Sequence, residues 1–175
     1  MYLMRLADRV SRGLAKVPNF PLESHRRFLL CQQAASGGFH GRDGDGDLYY
    51  TGFAVRALAV TGGLPEDPAR LLSGFLRDQN PLSLSAVDLL SWLYSAIVVE
   101  SVIGGSVLTG RSENFAADVV SGLQQLRTAD GGFSRTSEGA VGSTYQSFMC
   151  ALVHELLGQR IPRRNALVQI GRAHV

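Results

Sequence analysis

The chain has 175 residues, of which 45% are hydrophobic and 18% are charged, and its formal net charge is only +2. The length suffices for one domain, and the apolar content excludes a disordered chain. A net charge this small gives no sign of the basic surface that nucleic-acid binding needs. No window approaches ~18 uninterrupted apolar residues, and the N-terminus lacks a signal-peptide core. We therefore expect a cytoplasmic protein of bacterial type without a membrane span.

Apolar spacing predicts helices throughout and no strand. An amphipathic helix over 2–16 leads the chain. Very apolar inner helices are predicted at 47–61, 84–104 and 143–157. Amphipathic outer helices are predicted at 22–34, 66–79, 113–128 and from 162 onward. We expect Cys31 and Cys150, which lie in these apolar stretches, to be reduced and buried.

Three glycines suggest a repeat. Gly62, Gly110 and Gly158 are spaced by 48 residues, and each follows an apolar run. Glycine at this position is the usual left-handed stop of a helix. A fixed period of this length is typical of stacked helical hairpins.

The loop that leads from an outer to an inner helix carries a motif. It reads CQQAASGGF over 31–39 and returns as LQQLRTADGGF over 123–133. We expect the glutamines to satisfy backbone groups of the turn, the glycine pair to form a tight corner, and the phenylalanine to pin that corner into the core. The middle hairpin keeps only Gln79-Asn80-Pro81, which predicts a plainer turn.

These corners, followed by Asp-x-Tyr-Tyr-Thr-x-Phe-Ala over 47–54, resemble the repeats of protein prenyltransferase β subunits, especially of the Rab geranylgeranyl type. They are also similar to the glutamine-rich motif of squalene and oxidosqualene cyclases. The resemblance covers most of residues 22–162. It implies an all-α fold, an α/α toroid in which inner helices line an apolar pit, with about half of the ring present.

The resemblance implies a protein that transfers or binds an isoprenoid or similar apolar substrate in that pit. The alternative is a non-catalytic toroid that binds a lipid-like ligand or a protein. A transferase β subunit would also need a partner subunit, which nothing in the sequence identifies.

The last six residues, 170–175, look like a translated sequencing adapter. We therefore expect the native repeat domain to occupy 1–169 and to continue beyond Gln169.

Transferases of this family hold zinc with an Asp-x-Cys pair and a histidine in a Tyr-His-Thr context. Asp47 matches the aspartate, but Tyr49 stands at the cysteine position. Thr51 and Gln146 stand where the histidine would follow Tyr50 and Tyr145. The visible residues thus predict no zinc site, with Asp47 the one candidate ligand. Zinc as a cofactor would need ligands beyond Gln169.

The acidic loop Asp43-Gly44-Asp45-Gly46-Asp47 lacks the adjacent aspartates of a cyclase acid. As a calcium loop it fails at Leu48 and Ala54. We expect a solvated turn whose last aspartate caps the next helix. His154-Glu155 begins like a zincin motif, but Gly158 stands at the second histidine position, so an ordinary, partly buried histidine is predicted.

Aromatic residues cluster in the first turns of the inner helices, where they could surround an apolar ligand. Ordinary core packing is the alternative. Asp88 could line the pit with Asp47 or pair with Arg56. The candidate pit-lining residues are Tyr49, Tyr50, Phe53, Trp92, Tyr145 and Gln146.

Overall fold

The computed structural model describes residues 1–105 and 107–173, and every regular element in that part of the chain is a helix. The all-α class is confirmed. The helices are α1 (Tyr2–Leu14), α2 (Leu22–Leu30), α3 (Leu48–Val60), α4 (Glu66–Arg77), α5 (Ala86–Ile103), α6 (Phe115–Gln124), α7 (Thr144–Leu156) and α8 (Arg164–Ala173). Each of the three predicted inner helices is present. The outer helices α2, α4 and α6 end two to four residues earlier than predicted. The prediction for residues 174 and 175 lies outside the described residues.

Contacts along the chain divide it into two units. The first unit comprises residues 1–80 and 91–111, and therefore α1 to α4 with most of α5. The second comprises residues 81–90 and 112 onward, with α6, α7 and α8.

A corner between α2 and α3 organises the first unit. The backbone N–H of Phe39 donates to the Thr51 hydroxyl at 2.8 Å, and the Asp47 N–H donates to the Phe39 carbonyl at 3.0 Å. The Ala34 N–H donates to the Gly38 carbonyl at 2.8 Å. Phe39 is fully buried, as the motif predicted.

The corner between α6 and α7 has the same construction in the second unit. The Phe133 N–H donates to the Ser147 hydroxyl at 2.9 Å, and the Ser143 N–H donates to the Phe133 carbonyl at 2.9 Å. The Thr128 N–H donates to the Gly132 carbonyl at 3.0 Å. A threonine or serine hydroxyl in the first turn of the following helix therefore completes both corners.

In the first corner a glutamine ties the turn to the next outer helix. The Gln33 side-chain amide donates to the carbonyls of Gly37 and Pro68, both at 2.9 Å. Because Pro68 lies in α4, the amide joins the corner to that helix, and the prediction for this glutamine is confirmed.

In the second corner an arginine makes the equivalent bonds. The Arg127 guanidinium donates to the Gly131 carbonyl at 2.8 Å and to the Pro162 carbonyl at 2.5 Å. It also lies 4.6 Å from the centroid of the Phe133 ring. The expectation that Gln124 and Gln125 serve this corner is wrong, because Arg127 is the residue in register with the turn.

Gly62 and Gly158 end α3 and α7 as predicted. Their φ angles are +117° and +67°, in the left-handed region. The Gly63 N–H then donates to the Leu58 carbonyl, and the Gln159 N–H to the His154 carbonyl, each at 2.8 Å. Each of these bonds is the hydrogen bond that defines a Schellman motif at a helix C-terminus.

Gly110, the second of the three glycines, does not end a helix, so the expectation of a helix stop at this position is wrong. The helix α5 ends at Ile103, and Gly104 follows it with φ +78°. The Glu100 carboxylate accepts the N–H groups of Leu108 and Thr109 at 2.7 and 3.0 Å. The chain around Gly110 is therefore a loop held by Glu100.

The turn after α4 is plainer than the two corners, as predicted. It contains a single 3-10 turn, Pro81–Ser83.

In the first unit, the indole N–H of Trp92 donates to the Leu76 carbonyl near the end of α4, at 2.8 Å. The same carbonyl accepts the Gln79 N–H at 3.3 Å, so the indole adds a second bond at the helix C-terminus.

The two cysteines have different surroundings. Both are free thiols, and Cys150 is fully buried. Burial raises the pKa of the Cys150 thiol to about 12. Cys31 is exposed, so the prediction of burial is wrong there. The physical reason is that α2 ends at Leu30, which leaves Cys31 on the solvent side of the turn.

One described helix, α5, is long and apolar enough to cross a membrane by length and composition. Of its span, 56% is buried inside the protein. The core helix of a globular protein has the same properties, so this finding is weak evidence for a span.

We predict that Gly46→Ala lowers the free energy of unfolding by about 2 kcal/mol, the usual cost of overpacking. A Cβ at Gly46 would lie 2.6 Å from the Gly38 carbonyl carbon, and this backbone neighbour cannot easily move. Urea denaturation measures the change. Gly74→Ala in α4 is the control. Because no atom lies within 4 Å of the added methyl group, stability should hold or rise by up to ~1 kcal/mol. Equal losses in both variants would contradict the prediction.

Candidate functional site

Three of the predicted site residues form an exposed aromatic row on α3. Tyr49 meets Tyr50 edge-on with ring centroids 5.5 Å apart, and it meets Phe53 edge-on at 4.9 Å. The exposed fractions of Tyr49, Tyr50 and Phe53 are 45%, 45% and 52%. Tyr50 also covers the loop at Gly41, where a Cβ would lie 2.6 Å from the ring. Adjacent exposed aromatic side chains are a common sign of a binding surface.

The aromatic row leads into a groove of about 280 Å³ within the first unit. The groove runs between α1 and α3, and Phe53 belongs both to the row and to its wall. Its volume lies just below the usual range for small-molecule pockets. The lining residues are Leu3, Leu6, Ala7 and Val10 of α1, Phe53, Arg56, Ala57 and Val60 of α3, and Tyr94 of α5.

Arg56 is the charged residue of the groove. Its guanidinium carbon lies 5.0 Å from the Phe53 ring centroid and 5.9 Å from the Tyr94 centroid, within cation–π range. Tyr94 is 1% exposed, and burial raises the pKa of its phenol while the Arg56 charge opposes that rise. Among the described residues, those that line the groove include no carboxylate, thiol or imidazole. Its chemistry therefore suits the binding of an apolar molecule.

Trp92 does not join the aromatic row. It lies in the core of the first unit with 0% of its surface exposed. Its indole N–H is bonded to Leu76, and the Arg111 guanidinium lies 5.2 Å from its ring. This is the core packing that the sequence left as the alternative.

Tyr145 and Gln146 lie in the first turn of α7, in the second unit. Tyr145 is 53% exposed, and Gln146 is half-buried. The Gln146 N–H donates to the capping hydroxyl of Ser143 at 3.4 Å. Tyr145 therefore presents an aromatic surface at the start of α7, as Tyr49 does at the start of α3.

Asp47 and Asp88 are both engaged at helix starts. The Asp47 carboxylate accepts the Tyr50 N–H at 2.8 Å, so the predicted cap of α3 is confirmed. The Asp88 carboxylate accepts the Ser85 hydroxyl at 2.7 Å in the first turn of α5. Across residues 1–105 and 107–173, no group of three or more His, Cys, Asp or Glu side chains could hold a metal ion.

His154 belongs to a buried hydrogen-bonded chain in the second unit. It is 1% exposed, and its Nδ1 lies 2.7 Å from the Cys150 carbonyl oxygen. Its Nε2 lies 3.3 Å from the Gln124 amide nitrogen, and Gln124 accepts from Arg127 at 3.1 Å. These contacts fit a neutral imidazole with its proton on Nδ1, where Nε2 accepts from Gln124.

Burial lowers the pKa of His154, and the nearby Arg127 charge lowers it further, although the bond to the Cys150 carbonyl acts in the opposite direction. Sequence reasoning found His154 but missed Arg127. The sequence did contain a signal for Arg127. It precedes Gly131 by four residues, just as Gln33 precedes Gly37 in the first corner.

Comparisons with protein-family models, curated proteins and solved structures found no match to this chain. The prenyltransferase resemblance therefore stays a prediction that depends on the quoted motifs.

We predict that stability falls as the pH drops below the ordinary histidine value of about 6.5. Because folding lowers the pKa of His154, the unfolded chain binds the proton more readily in this range. The loss should level off below the folded-state pKa. Glutamine does not titrate, so His154→Gln should lack this part of the pH dependence. Urea denaturation at several pH values measures the free energy of unfolding of both proteins. His25→Gln, at an exposed histidine, is the control and should keep it. Identical pH profiles for the wild type and His154→Gln would contradict the assignment.

Proposed function

We propose that this protein binds an isoprenoid or similarly apolar molecule in the groove between α1 and α3. The observation that carries the proposal is the continuous path from the exposed Tyr49 and Phe53 rings into an apolar groove. Aromatic faces bind apolar chains by dispersion and by removal of both surfaces from water.

The proposal includes an α/α toroid of the prenyltransferase and squalene cyclase type. The shared construction of the two corners supports it, because Phe39 with Thr51 and Phe133 with Ser147 make the same bonds. Inner helices of such a toroid carry the ligand-facing residues. The exposed aromatic side chains at the starts of α3 and α7 are consistent with that role.

A binding role is favoured over transfer by the composition of the groove. Transfer of a prenyl group to a thiol needs a group that generates the thiolate, which zinc supplies in the transferases this chain resembles. The described residues that line the groove include Arg56 and Tyr94 but no histidine, cysteine, aspartate or glutamate. Transfer is the second candidate, and tight retention of one zinc ion per chain by the purified protein would favour it.

We predict that Ala57→Trp, which fills the groove, weakens the binding of farnesol at least tenfold. Ala57 is half-buried on the groove wall, so an indole there would occupy the space of the ligand. Phe53→Ser should weaken binding about tenfold through loss of one aromatic contact. Titration calorimetry of the purified protein measures both changes.

Phe28→Ser is the matched control, since Phe28 of α2 is an exposed aromatic residue that lies outside the groove. It should leave the affinity unchanged. Far-UV circular dichroism establishes that each variant keeps its helix content. The absence of farnesol binding to the wild type, or equal weakening in all three variants, would overturn the proposal.

A further inference from the structure

The helix α1 has an exposed apolar stripe. Tyr2, Leu6 and Val10 are spaced by four residues and therefore lie on one face of the helix. Their exposed fractions are 47%, 41% and 41%. No residue of α1 is buried. The helix therefore contacts α3 while this stripe stays exposed.

Basic residues run alongside this stripe. Arg5 and Arg9 are exposed, and each lies three residues after Tyr2 or Leu6, close to one helical turn away. Arg12 continues their row and pairs with Asp8, the one carboxylate of the helix. Lys16 lies exposed just beyond the helix end. A row of cations thus borders a row of apolar side chains.

The side of α1 that faces α3 overlaps the stripe at Leu6 and Val10, which stay exposed at the groove. Leu3 and Ala7 are less exposed than the stripe, and both lie in the groove that α1 forms with α3. The stripe and the arginine row therefore reach solvent together while α1 stays on α3. An external partner could contact both rows without unfolding or moving the helix.

We propose that α1 attaches this protein to the surface of an anionic lipid bilayer. The apolar stripe enters the boundary between headgroups and acyl chains, and the arginines contact the lipid phosphates. A helix that is polar on balance, with a basic face beside a well-defined apolar face, has the chemistry of such interfacial binding. Charge complementarity favours an anionic surface, because three arginines and one lysine stand against a single paired aspartate.

The attachment is independent of the proposed ligand. It needs the stripe and the arginine row of α1, whereas apolar ligand binding also needs the α3 side of the groove. The two sites are adjacent, because Leu6 and Val10 also line the groove. A protein held in this way would present the mouth of the groove to the lipid.

The test is co-sedimentation of the intact protein with vesicles, either of phosphatidylcholine alone or of equal parts phosphatidylcholine and phosphatidylglycerol. We expect binding to the anionic vesicles, weakened by added salt, and little binding to phosphatidylcholine. Arg5→Gln with Arg9→Gln should weaken binding at least tenfold, since each cation near an anionic surface contributes about 1 kcal/mol. Leu6→Ser with Val10→Ser should weaken it about tenfold, through the loss of apolar contact.

Arg42→Gln with Arg135→Gln is the matched control, because it removes the same charge from two exposed loop positions. It should bind anionic vesicles like the wild type. Circular dichroism checks that all variants stay helical. Absence of binding to anionic vesicles, equal binding to both vesicle types, or equal weakening by the control pair would overturn the proposal. If farnesol binding fails while vesicle binding persists, only the groove proposal is lost.

Discussion

A buried backbone amide must find an acceptor inside the protein, and at each corner a hydroxyl from the next helix provides it. Phe39 depends on Thr51, and Phe133 depends on Ser147. Leaving such an amide unpaired would cost about 1–3 kcal/mol. The bond therefore fixes both where the following helix starts and how it is rotated about its axis. The rest of each unit is arranged around that rotation.

On α3 this rotation decides what becomes a site. With Thr51 directed at the corner, Val55 and Leu58 point into the core, and Tyr49 and Phe53 point outward. Gly52 then allows α5 to approach, since a Cβ there would overlap the Ser91 side chain. The exposed aromatic row is thus a consequence of how the corner bonds are satisfied.

The second unit uses the same corner with a different polar core. Arg127 takes the position that Gln33 has in the first corner, and its charge is accommodated by carbonyl oxygens, the Phe133 ring and Gln124. His154 extends this chain to the Cys150 carbonyl. A buried polar chain of this kind stabilises the unit only while every member is bonded, so its protonation state matters to folding.

The sequence by itself determined the helices, the two corners and the aromatic character of the helix starts, because these depend on periodicity, glycine and capping residues close in the chain. It could not determine the exposure of Cys31 or the loop that Glu100 holds around Gly110. Only the tertiary structure shows that α1 packs against α3 and forms the groove. Only the tertiary structure shows that Trp92 lies in the core. Spacing along a helix shows which residues share a face, but the packing of other helices decides which of those faces water can reach.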